Sequence, residues 1–171
     1  MVVIDPKEAR RLLDAEAVDE LLVLVTPEEM GLAWCRYATR VVKKELPEPH
    51  QWEDDEDGWA AELYHESSFR ANEDYVRAFV VTVADGAPDE VLGLFGAGPL
   101  EDFLGDAGED RLLWIEERAE ESQRFRQALR AVGVWRSARW EPGGQPGTLI
   151  QRRPEADPSV EAIIRRIQRR L

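Results

Sequence analysis

The sequence predicts a mainly α fold, either short amphipathic helix pairs stacked like a solenoid or an irregular bundle, with a small β-hairpin near 134–152 the one candidate for sheet. Three observations predict it. Apolar residues recur at spacings of three and four. Cap-and-proline signals open several of the stretches that carry them. Glycine and proline breaks separate those stretches at short intervals. The chain of 171 residues suits one helical domain, 1–171, large enough to bury a core.

Asp5-Pro6-Lys7-Glu8 reads as the first helix start, with Asp5 as cap, Pro6 at the first helical position and Glu8 closing a capping box. Leu12, Leu13, Val18, Leu21, Leu22 and Val25 then supply apolar positions for one helix or two short ones. Thr26-Pro27-Glu28-Glu29 repeats the start signal. The helix it opens should reach about Leu46, with Met30, Trp34, Tyr37 and Val41 on one face, and Pro47 and Pro49 should end it.

Residues 47–58 form the clearest loop, with five consecutive acids, Glu53 to Asp57, closed by Gly58 and flanked by Trp52 and Trp59. Trp59 and Leu63 fit the face of a short helix leading to His65. Asn72 is a cap candidate for a helix carrying Val76, Phe79, Val80 and Val83. The β-branched run 80–83 leaves a strand as the alternative there.

After a break at Asp85-Gly86-Ala87-Pro88, a short helix should cover Asp89 to Phe95. In Gly96-Ala97-Gly98-Pro99, Gly96 fits a left-handed helix end and Pro99 the first position of the next helix. Glu101 and Asp102 fall in that helix's first turn, where negative charge complements exposed N–H groups. Two more helices are expected over 109–121 and 122–132. Stretches 134–140 and 148–152 flank a Gly/Pro-rich excursion. Pro158 opens a terminal helix with Val160, Ile163, Ile164, Ile167 and Leu171 on one face and Arg165, Arg166, Arg169 and Arg170 on another.

Charge bounds the function. The net charge is −13. Residues 136–171 hold eight arginines against four acids, so the first 135 residues carry −17. Such a body repels nucleic-acid phosphates and attracts basic proteins. No run approaches the ~18 apolar residues that span a bilayer, and the start lacks a signal-peptide pattern, so a cytoplasmic location and no membrane partner are expected. The single Cys35 excludes an internal disulfide and reads as a buried thiol.

No catalytic motif stands out, and no catalytic residue, metal ligand or cofactor is assigned. Gly96-Ala97-Gly98 lacks the third glycine of a dinucleotide site and the lysine of a phosphate loop. The acidic run, with His50 and His65 nearby in sequence, reads as a solvated loop, a dock for a basic protein or an oxygen-rich cation site. The candidate partner-binding residues are Trp52, Glu53, Asp54, Asp55, Glu56, Asp57, Trp59, Glu101 and Asp102, with the tryptophans as anchors. The residues favour a non-enzymatic role. The alternatives are a metal- or carboxylate-dependent enzyme using His50, His65 and the acidic loop, and a DNA-mimic inhibitor of a nucleic-acid-binding protein.

The motif Gly96-Ala-Gly-Pro-Leu-Glu-Asp-Phe-Leu104, with Trp114-Ile115-Glu116, Arg124-Phe125-Arg126-Gln-Ala-Leu129 and Val134-Trp135, resembles an uncharacterised bacterial helical domain family of unknown function. That resemblance covers about 91–135 and implies a small helical protein, with no activity or catalytic residue to carry over. In size and acidity the chain is also similar to immunity proteins of toxin systems, which implies a basic toxin as partner.

Overall fold

The computed structural model describes residues 4–46, 51–67, 73–105, 109–132, 139–142, 149–152, 162, 165, 166 and 169. The fold is mainly α, with nine α-helices of defined bounds and further helical residues at 162, 165, 166 and 169 among those described. The chain divides into two compact units, 1–95 and 96–171.

The first unit opens with α1 (Pro6–Asp14) and α2 (Val18–Leu24), separate helices as the sequence allows. Asp5 caps α1 by accepting from the Lys7 N–H at 2.9 Å. Glu8 does not close the expected box, because it pairs with Arg11 one turn on. Glu16, at φ 56°, holds the left-handed position after α1, and the Ala17 N–H reaches back to the Leu12 carbonyl at 2.9 Å.

The helix α3 (Pro27–Val42) carries the capping box read at Thr26 and Glu29. The Glu29 N–H donates to Thr26 Oγ1 at 3.2 Å, and the Thr26 N–H donates to Glu29 Oε2 at 3.0 Å. It stops before Leu46 and before the prolines. Lys44 turns left-handed at φ 56°, and the Glu45 N–H closes onto the Arg40 carbonyl at 2.9 Å. This backbone cap satisfies carbonyls at the end of the helix and sets its length.

The helices α4 (Trp59–Ser67) and α5 (Glu73–Gly86) complete the core with α3. The run 80–83 is helical, so the strand alternative is excluded. Val76, Phe79, Val80 and Val83 are buried, as the periodicity requires. The helix α5 comes close to α3 at Gly31, where a Cβ would lie 2.8 Å from Thr82 Cγ2. Tyr64 stacks on Phe79 at 4.9 Å, and Trp34 meets Phe95 of α6 (Asp89–Gly96) edge-on at 5.8 Å. Asn72, the proposed cap of α5, lies outside the described residues.

The second unit contains α7 (Pro99–Gly105), α8 (Glu109–Glu121) and α9 (Gln123–Leu129). An edge-to-face ladder, Phe103 to Trp114 at 5.8 Å and Trp114 to Phe125 at 5.9 Å, joins them. Ser122 caps α9 by accepting from the Phe125 N–H at 3.2 Å. Arg126 Nη1 donates to the Ala119 carbonyl at 2.7 Å and so satisfies the end of α8. Gly96 is buried, and a Cβ there would sit 2.1 Å from the Ala128 carbonyl oxygen. Close approach to α9, and not the expected left-handed turn, is why the position takes glycine.

The hairpin read near 134–152 forms from Arg139–Pro142 (β1) and Leu149–Arg152 (β2), antiparallel, with Arg139 opposite Arg152 and Pro142 opposite Leu149. Of the stretch 134–140, residues 134–138 lie outside the described residues. Residues 162, 165, 166 and 169 are helical, within the expected terminal helix. Arg166 pairs with Glu116 of α8.

Candidate functional site

The acidic loop is built as a short 3-10 turn, Trp52–Asp54, followed by an extended Asp55 and the start of α4. The turn closes on itself. The Gln51 N–H donates to Asp54 Oδ2 at 2.6 Å, and the Asp54 N–H donates to the Gln51 carbonyl at 3.1 Å. The Asp57 N–H donates to Asp55 Oδ1 at 2.8 Å. Gly58 ends the run because a Cβ would lie 1.9 Å from the Trp52 carbonyl oxygen.

Two helices grip this loop through three arginines. Arg36 and Arg40 lie one turn apart on α3 and so face the same way. Arg36 makes a two-bond fork to Asp57, at 3.0 Å from Nε and 2.5 Å from Nη2. Arg40 forks onto Asp55 with two bonds of 2.6 Å and adds a third to Asp57 at 2.6 Å. From α1, Arg10 Nη2 donates to the Trp52 carbonyl at 3.2 Å, and Nη1 pairs with Glu62. Planar guanidinium forks onto carboxylates are both strong and directional.

The five acids therefore divide. The Asp55 and Asp57 side chains are only 5% and 4% exposed and face the α3 arginines. Glu53, Asp54 and Glu56 are exposed. Burial opposes ionisation of Asp57, but the hydrogen bonds and charges of Arg36 and Arg40 outweigh it and hold the carboxyl below its ordinary value. The Asp55 hydrogen bond leads in raising Arg40, and the Asp57 bond leads in raising Arg36. Burial, helped by the charges of Asp55 and Asp54, pushes the nearby Tyr37 hydroxyl up.

The other expected site residues spread further. Trp52 is half-buried, its ring 5.5 Å from that of His65. Trp59 is 3% exposed, so its ring belongs to the core, where it cannot anchor a partner. Glu101 is half-buried and Asp102 exposed in the first turn of α7, in the second unit. His50 lies outside the described residues. Among the described residues no three His, Cys, Asp or Glu side chains gather as a metal would require. Cys35 is buried. Among the described residues no helix is long and apolar enough to cross a membrane.

Arg10, Arg36 and Arg40 are not among the residues that the sequence singles out. The available signal was the pair Arg36 and Arg40, one turn apart on a helix whose other face is apolar, followed by a run of acids.

Fold and site together define a mainly α, acidic chain whose acidic turn is locked to neighbouring helices by arginine forks. The chain belongs to a family of unknown function, DUF6869, whose model matches residues 47–142. The matched range includes the acidic turn from Gln51 and the Gly96–Leu104 junction, and is wider than the 91–135 stretch that carries the resemblance in sequence. No curated protein and no solved structure matches the chain.

Proposed function

We propose that this chain is a non-enzymatic interaction domain that docks a basic protein, in its most concrete form an immunity- or antitoxin-like inhibitor of a basic toxin. One observation carries the reading. Arg10, Arg36 and Arg40 lock the loop from within, so that Glu53, Asp54 and Glu56 face outward beside the half-buried Trp52. A rigid acidic edge loses little conformational entropy on binding and steers cationic partners by charge. The strongly negative body adds to that attraction.

The test is affinity capture with the wild-type chain and a Glu53→Gln/Glu56→Gln variant as baits, in about 50 mM and about 500 mM salt. The proposal expects basic proteins that are lost both on the double substitution and in high salt. Partners indifferent to both changes would sink it.

A further inference from the structure

We infer a second docking surface, at the corner between α2 and α3, suited to a basic amphipathic segment of a partner protein. It is separate from the acidic turn and stands on its own observations.

Val23 is 86% exposed and Leu24 52%, the two most exposed positions of an otherwise apolar helix end. On α2 the inward positions are already taken by Val18 and Leu21, with Val25 buried just after. The Val23–Leu24 pair is thus a surplus of apolar surface that the core of this unit does not use. Scattered single exposed apolar residues need no account, but an adjacent pair this open costs hydration free energy unless something covers it.

The surroundings name the chemistry of what would cover it. Residues 12–35 contain six acids and no lysine or arginine. Asp19 and Glu20 on α2 and Glu28 on α3 are exposed around the corner. Arg11, the nearest basic residue before this stretch, is bound to Glu8, and the charge of Glu20 adds a smaller pull on it. An exposed apolar pair with carboxylates one turn before it on α2 and at the start of α3 complements a segment with leucine-like residues on one face and lysines or arginines beside them.

The corner is also held in place. The Tyr75 hydroxyl donates to the Val25 carbonyl at 3.0 Å, and the Thr26–Glu29 box fixes the turn into α3. Burial, with the charges of Glu28 and Glu29, pushes the Tyr75 hydroxyl well above its ordinary value, so it remains a donor. The backbone turn beside the pair is therefore tied down, which lowers the entropy cost of docking. The surface lies outside residues 47–142, so it would give this chain a contact that the family-matched segment does not contain.

The experiment titrates the full chain with a synthetic amphipathic leucine–lysine peptide by calorimetry, and maps the contact by backbone NMR shifts. A lysine-only peptide of equal charge is the control. The expected result is shifts centred on residues 19–28. Val23→Ser/Leu24→Ser should weaken binding at least about tenfold, because it removes the apolar burial. Both positions are exposed, so the variant should keep the wild-type melting midpoint. In Glu53→Gln/Glu56→Gln the shifts at residues 19–28 should persist.

Equal affinity for the lysine-only peptide, or binding indifferent to Val23→Ser/Leu24→Ser, would overturn the inference. So would self-association in sedimentation that the same substitutions abolish, since the occupant would then be a second copy. Shifts at residues 51–56 alone would favour the acidic turn as the dock and overturn the α2–α3 surface.

Discussion

Replacing Gly96 by alanine should destabilise the second unit by about 3 kcal/mol, the upper range for forcing atoms into a packed site. The added Cβ would lie 2.1 Å from the Ala128 carbonyl oxygen and 2.9 Å from Ala131 Cβ. Reaching the 3.4 Å of ordinary contact requires the first gap to open by about 1.3 Å. A flexible side chain could swing aside, but the obstacle is backbone of α9, which also carries the buried Phe125 and Leu129. Moving it would disturb the Phe103–Trp114–Phe125 ladder. The same substitution at Gly93, exposed on α6 with nothing within 4 Å, removes only the entropy cost of glycine and should stabilise by about 0.5–1 kcal/mol. Urea unfolding followed by tryptophan fluorescence reads both changes. A Gly96→Ala variant as stable as the Gly93→Ala variant would refute the close-approach argument.

Three further outcomes follow from the caps and charges. Thr26→Ala should cost about 1 kcal/mol in urea unfolding, since it removes the acceptor for the Glu29 N–H at the start of α3. Lys44→Gly should stabilise by about 0.5–1 kcal/mol, because glycine takes the left-handed φ of 56° without the penalty of a side chain; an unchanged or lower urea midpoint would speak against it. The third concerns acid. Asp57 has a folded pKa below its ordinary value of 3.8. Its stabilisation is therefore complete above that value and lost as pH falls through the lower folded one. Urea midpoints measured from pH 6 down to pH 3 should drop at the acid end, and the drop should be shallower in Asp57→Asn.

The helices were legible wherever their determinants are local. Thr26, Pro27 and Glu29 sit within four residues and specify the start of α3 without help from the rest of the chain. The inward face of α5 follows from Val76, Phe79, Val80 and Val83 alone, once helix is preferred to strand. What escaped depends on long-range placement. Asp55 and Asp57 meet their arginines across 15 to 21 residues of sequence, so five consecutive acids read as one solvated run. Trp59 flanks that run in sequence but points into the core, because α4 begins with its apolar face inward. The need for glycine at Gly96 is legible in the sequence, but its cause is not, since its neighbour in space is Ala128. The end of α3 falls short of the prolines because of Lys44, whose residue type does not announce a left-handed position.

The division of the acidic turn into inward and outward carboxylates is tested most directly by comparing two double variants in urea unfolding at pH 7. Asp55→Asn/Asp57→Asn leaves Arg36 and Arg40 facing neutral amides. It should cost about 2–4 kcal/mol, less than a fully buried pair because Arg36 is 55% exposed. Glu53→Gln/Glu56→Gln changes two exposed side chains and should stay within about 0.5 kcal/mol of wild type. Equal losses in the two variants would contradict the division, and with it the picture of a docking edge held rigid from behind.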